Sequence, residues 1–89
     1  MQRRFELIHW TPDGVSRVLR NQVTPREVEE VLTDPKCHLR VGRDGRLLLG
    51  GRSEAGRVLM CVLSDEGYGA AGVVTARYLT DPEGRIYVG

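Results

Sequence analysis

The chain has 89 residues, a formal net charge of +1, 40% hydrophobic and 28% charged side chains. That length suits one domain, residues 1–89, with a small core and no room for a separate cofactor domain. The near-balanced charge does not announce a nucleic-acid binder, and no apolar run approaches the roughly 20 residues needed to cross a bilayer. "MQRRFELIHW" has an arginine pair but no apolar h-region after it, so no signal peptide is expected and the expected address is cytoplasmic. Cys37, Cys61, His9 and His38 match no metal-ligand spacing, and in that compartment neither a disulfide, a metal nor any other cofactor is expected.

In chain order, "RFELIHW" reads as a first strand. Thr11 and Pro12 start a helix in which Val15, Val18 and Leu19 form one apolar face, leaving Arg17, Arg20 and Asn21 on the other. The next helix has Thr24 as N-cap, Pro25 at N1, Glu27 completing a capping box, and Val23 with Val28 as a hydrophobic staple. Val28, Val31 and Leu32 make its buried stripe; Glu27, Glu30 and Asp34 are expected to face outward as an acidic docking surface, and Pro35 stops the helix. The rest is β. "HLRVG" and "GRLLLGGR" flank the turn "RDG", "RVLMCVLS" follows "SEAG", and "AGVVTARYL" follows "DEGYG". The expected architecture is α+β: two N-terminal helices packed on an antiparallel meander of three or four strands. "VLMCVL", apolar on both faces, should be central and covered on both sides.

Of the 13 basic residues, 12 are arginine, whose planar fork of donors suits phosphate or carboxylate. Taking "SEAG" as a four-residue loop sets Arg52 opposite Arg57 on one face. Like charges so placed cost roughly 0.2–1 kcal/mol unless solvated or bridged by an anion. Whether Arg77 shares that face depends on the register across "DEGYG", which the sequence leaves open, because a one-residue slip reverses the face.

The order strand, "W-x-P", short helix, "V-T-P-x-E-V-x-E-V", Asp-Pro, "G-R-x-x-x-G-R" and "T-A-R" resembles the BrnT-type toxins, a branch of the RelE superfamily of small ribonucleases. The resemblance covers essentially the whole chain. Trp10 and Pro12 match the family's opening, with Thr11 in place of aspartate. Arg20 stands at its lysine, Asn21 at its histidine and Gln22 at its glycine. Gly51, Arg52, Gly56 and Arg57 match the G-R…G-R segment, and Thr75, Ala76 and Arg77 match S-A-R. Glu83 and Tyr87 match the tail, where Pro82 and Gly84 disfavour a terminal helix.

The resemblance implies the toxin of a type II toxin–antitoxin system, a metal-independent endoribonuclease in which a ribose 2′-hydroxyl attacks the adjacent phosphorus to leave a 2′,3′-cyclic phosphate. It implies Arg52, Arg57 and Arg77 as phosphate and transition-state contacts, with Arg20, Arg17 and Asn21 supporting the substrate. For proton transfer the candidates are Tyr87, His9 and Glu83, and the resemblance ranks Tyr87 first. Trp10 reads as a core anchor and His9 as a structural histidine. The implied partners are RNA and a small, DNA-binding antitoxin, with a homodimer within the toxin–antitoxin complex. The other reading is a family member without catalysis that binds RNA or protein, and Asn21 at the histidine position favours it.

Overall fold

The computed structural model describes residues 5–79. In chain order these form β1 (Leu7–His9), α1 (Pro12–Arg20), α2 (Pro25–Leu32), β2 (His38–Val41), a single 3-10 turn (Arg43–Gly45), β3 (Arg46–Arg52), β4 (Val58–Gly67) and β5 (Ala70–Tyr78).

Both helices start and stop on local chemistry. Thr11 Oγ1 accepts from the Gly14 amide at 3.0 Å, and Asp13 early with Arg17 and Arg20 late complement the helix dipole of α1. At its end Gln22 turns left-handed (φ 63°), and the amides of Gln22 and Val23 reach back to the carbonyls of Leu19 and Val18. Val23 and Val18 are both fully buried, so this stop is sealed by an apolar contact pair. The capping box of α2 is complete: the Glu27 amide donates to Thr24 Oγ1, and the Thr24 amide donates to Glu27 Oε1, each at 3.2 Å.

The sheet has five strands in the order β1-β5-β4-β3-β2. The meander β2 to β5 is antiparallel, as its short turns require, but the sheet is mixed. β1 runs parallel to β5, with Leu7, Ile8 and His9 opposite Ala70, Ala71 and Gly72. The crossover from β1 through both helices to the far edge strand β2 permits that pairing.

Both helices cover one face. Val18, Val28, Val31 and Leu32 meet Leu49, Leu59, Cys61, Leu63, Val73 and Ala76 in one core, with Trp10 packed against it. β4 is the middle strand, and Leu59, Cys61 and Leu63 on its helix side are fully buried. On its other side Met60 is nearly buried and Val58 and Val62 are half-buried; among the described residues no helix lies there. Leu19, expected in the core, is 52% exposed. α1 lies along the β5 edge of the sheet, so its buried stripe is narrower than the i, i+3, i+4 pattern implies.

Candidate nucleic-acid interface

The expected pairing of Arg52 with Arg57 does not occur. Ser53, rather than Arg52, faces Arg57: the Ser53 amide donates to the Arg57 carbonyl at 2.9 Å, and Arg52 stands opposite Val58. The loop is therefore Glu54–Ala55–Gly56, three residues closed by Gly56 at φ 87°, where a glycine carries no steric cost. One residue fewer in the loop moves the two arginines to opposite faces.

Directly opposed residues share a face of the sheet, and the register places each arginine. Arg40 aligns with Leu48 and Val62, Arg46 with Ser64, Arg52 with Val58, and Arg77 with Met60. These four exposed arginines lie on the face away from the helices, around the apolar centre Leu48, Val58, Met60 and Val62. Thr75, opposite Val62, opens to the same side. Next to it lies an open concavity of about 330 Å³ lined by Arg17, Arg20, Asn21 and Thr75. A second hollow of about 240 Å³ joins Arg17 of α1 to Arg46, Ser64 and Glu66 of the sheet. The last turn of α1 thus forms the rim of an arginine-bearing sheet face.

Within this rim Arg17 Nε pairs with Asp13 at 3.1 Å, an i,i+4 ion pair that leans the guanidinium along the helix. Asn21 Nδ2 donates to the Ala76 carbonyl at 2.9 Å and to Thr75 Oγ1 at 3.3 Å. Arg52 Nη1 donates to the Gly56 carbonyl at 3.3 Å, across its own hairpin loop. His9 Nδ1 sits 3.3 Å from Glu66 Oε2 at the surface, with the His9 side chain more than half exposed.

Arg57 belongs to a different cluster, on the helix side. Its Nη1 donates to Tyr78 Oη at 2.8 Å, and its Cζ lies 4.9 Å from the Tyr78 ring centroid. Tyr78 Oη in turn donates to both carboxylate oxygens of Glu27, at 2.8 and 3.0 Å. Burial pushes the Tyr78 phenol above its ordinary value, the bond to Glu27 pushes it further, and Arg57 pulls it back in part. The Arg57 guanidinium is raised, chiefly by its bond to Tyr78. Tyr78 and Glu27 were missed as chemistry-bearing residues, because Glu27 announces itself only as a cap and Tyr78 only as a strand residue after "TAR".

Glu27, Glu30 and Asp34, expected to face outward, are instead engaged with the sheet and its β3–β4 hairpin. Glu27 holds Tyr78, Glu30 Oε1 accepts from the Glu54 amide at 3.0 Å, and Asp34 Oδ2 accepts from the Arg52 amide at 3.3 Å. Glu27 thus fastens α2 to β5 and Glu30 fastens it to the β3–β4 loop, while Asp34, just past the helix, holds the end of β3. Among the described residues no group of His, Cys, Asp and Glu is placed to hold a metal ion, and no helix is long and apolar enough to cross a membrane. Neither cysteine forms a disulfide, and both are buried. Tyr87 and Glu83, named for proton transfer, lie outside the described residues.

The fold has a solved counterpart. A crystal structure of the Brucella abortus ribonuclease toxin BrnT superposes with a TM-score of 0.68, covering 83% of this chain and 96% of that one at 14% identity. The fold is BrnT-like. The sequence matches no protein-family model and no curated protein, so the likeness rests on three-dimensional architecture: two helices on one face of a small mixed sheet.

Proposed function

We propose that the protein is the toxin of a type II toxin–antitoxin system, a cytoplasmic, metal-independent endoribonuclease of the RelE superfamily. The observation that carries this reading is the arginine-bearing sheet face, Arg40, Arg46, Arg52 and Arg77, bordered by Arg17 and Arg20 at the end of α1. The fold it shares with a solved ribonuclease toxin agrees with it. RNA supplies its own nucleophile: the 2′-hydroxyl attacks the adjacent phosphorus, and the products carry a 2′,3′-cyclic phosphate and a 5′-hydroxyl. The protein has then to align the attack and stabilise charge building on the phosphoryl oxygens. Arginines do this as fixed cations with paired donors. Arg52 and Arg77 grip the phosphate backbone from the open face of the sheet and Arg20 supports it from α1, whereas Arg57 stands on the helix side and does not share that grip. A small DNA-binding antitoxin covers this basic face, with the toxin as a monomer or homodimer in the complex.

The deciding experiment is incubation of total RNA with the protein in chelator, with and without ribosomes, and identification of the product ends. Cyclic-phosphate ends that disappear with Arg52→Ala and Arg77→Ala are expected. RNA left intact by folded protein overturns the enzyme reading.

A second reading has its own observation. Asn21, at the position of the family's histidine, spends its amide on Ala76 and Thr75 and offers no proton-transfer group. That favours a binding module that retains RNA or a protein partner on the arginine face. Salt-dependent RNA binding without cleavage is its signature.

A further inference from the structure

Arginine and asparagine leave proton transfer unassigned, since neither is a base near neutral pH. The open face of the sheet carries a pair that fills the gap. His9 stands opposite Gly72, Gly72 opposite Ser64, and Ser64 opposite Arg46. These four form one row across β1, β5, β4 and β3, on the face of the arginines. Glu66 lies across that row. A Cβ at Gly72 would stand 2.5 Å from Glu66 Oε2 and 2.8 Å from Ser64 Oγ, so a bare backbone here lets the carboxylate reach over β5 to His9 Nδ1 at 3.3 Å. Glycine inside a strand is a weak choice except where another group approaches this closely. Glu66 also lines the hollow of about 240 Å³, with Ser64 and Arg46 of the sheet and Asp13 and Arg17 of α1. The charges around it are two carboxylates and two guanidiniums, with Asp13 tied to Arg17 at 3.1 Å. A neutral histidine whose Nδ1–H meets a carboxylate has its lone pair on Nε2, at the far tip of the ring. That is the arrangement of a base held by a third group. The His9 side chain is more than half exposed, so a ligand on this face can reach it.

Resting on the ribonuclease reading above, we infer that His9 is a catalytic residue that takes the 2′-hydroxyl proton of RNA on Nε2, with Glu66 as its positioning residue and the reacting phosphodiester held at Arg46 and Arg17. Gly72, beside His9, and Arg77 are five residues apart on β5, roughly 15 Å at the rise of a strand. Arg52 and Arg77 therefore hold the RNA backbone farther along the same face. The 2′-oxygen bonds to phosphorus as its proton passes to Nε2, and Glu66 faces the imidazolium so formed. Arg46 and Arg17 face the charge that builds on the phosphoryl oxygens. The bond from phosphorus to the 5′-oxygen breaks, and its electron pair leaves on that oxygen. The 5′-oxygen takes a proton from water, and the proton that Nε2 gives up neutralises the hydroxide. Cyclic phosphate, 5′-hydroxyl and the starting enzyme result.

The test uses His9→Ala, Glu66→Gln and the double variant, with circular dichroism and thermal unfolding to check the fold. An oligoribonucleotide spanning a cut site mapped with the wild type gives the single-turnover rate at saturating protein, and fluorescence anisotropy gives its Kd. His9→Ala is expected to lose about 10²–10⁴-fold in rate, the usual worth of a positioned base. Its Kd should stay within about threefold, because no phosphate-binding arginine is removed. Added imidazole, a diffusible substitute for the lost ring, should restore part of that rate and leave the wild type unchanged. Glu66→Gln takes an anion off the face, so it should bind RNA at least as tightly as the wild type. It should nevertheless cut at least about tenfold more slowly, losing part of what the base supplies. The double variant should be no slower than His9→Ala, as groups acting in one step are. A wild-type rate in either single variant overturns the pair and leaves the nuclease standing. A rate loss in His9→Ala that comes with weakened binding or a lost fold, or that imidazole leaves untouched, reduces the pair to a surface contact and overturns it as well. No cleavage by the wild type under any condition overturns base and nuclease together.

Discussion

The side-chain amide of Asn21 donates to the backbone carbonyl of Ala76 at 2.9 Å, fastening the end of α1 to the edge of β5. β1 covers that edge only as far as Gly72, so beyond it the carbonyls of β5 need another donor. Asn21→Ala is expected to lower stability by about 0.5–1.5 kcal/mol, the usual net worth of one such bond. Asn21→Asp should cost at least as much, because a carboxylate cannot donate. Urea denaturation of the three proteins measures both, and equal midpoints would show that the clamp contributes nothing.

Gly14 shows which of two effects wins where α1 crosses the sheet. By helix propensity alone, alanine in this first turn of α1 would stabilise by up to about 1 kcal/mol, the full helix-interior difference. A Cβ there would stand 2.5 Å from the Val73 carbonyl oxygen, and that atom is backbone in a buried strand. α1 would have to lift off β5. Gly14→Ala is therefore expected to destabilise by about 1–3 kcal/mol net, the range for overpacking. A rise in melting temperature would mean that α1 does not approach β5 this closely.

What the sequence made legible is what short segments decide. The caps at Thr11 and Thr24, the buried stripe Val28, Val31 and Leu32, and the antiparallel run of β2 to β5 each depend on residues a few positions apart. The parallel pairing of Leu7 with Ala70 joins the two ends of the described chain and leaves no local signal. The faces of Arg52 and Arg57 turned on one residue of loop length, which "SEAG" alone does not settle because Ser53 can pair or turn. The Glu27–Tyr78 bond spans 51 positions and joins a residue with a complete local role to one without any. The family resemblance supplied the order of motifs and the arginines; the register supplied which of them share a surface.

Cys61 carries a prediction about alkali. Burial pushes its thiol from 9.0 up to about 12. A pKa raised in the folded state means that the stabilisation is complete below pH 9 and is lost as pH climbs from 9 towards 12, since only the unfolded chain ionises there. At about 1.4 kcal/mol per unit the loss is roughly 4 kcal/mol at most. Denaturation midpoints between pH 8 and 11 should fall more steeply for the wild type than for Cys61→Ala. Neither thiol should react with a disulfide reagent at pH 8 until the protein unfolds, since both are buried. Parallel pH curves, or fast labelling of the native protein, would contradict this packing.

Arg52 and Arg77 share the open face of the sheet, on strands separated by β4, whereas Arg57 stands on the helix side. Strands lie about 4.8 Å apart, so roughly 10 Å of sheet separates the lines of these two arginines. A single RNA strand laid across that face meets both. Each lost phosphate contact should lower the slope of log Kd against log salt by about 0.7, the single-strand value. Arg52→Gln and Arg77→Gln are each expected to do so, and the double variant to lose about 1.4. These replacements weaken binding to unrelated RNA sequences alike, because the contacts are to the backbone. Slopes unchanged in both single variants would take RNA off this face and leave it to a protein partner.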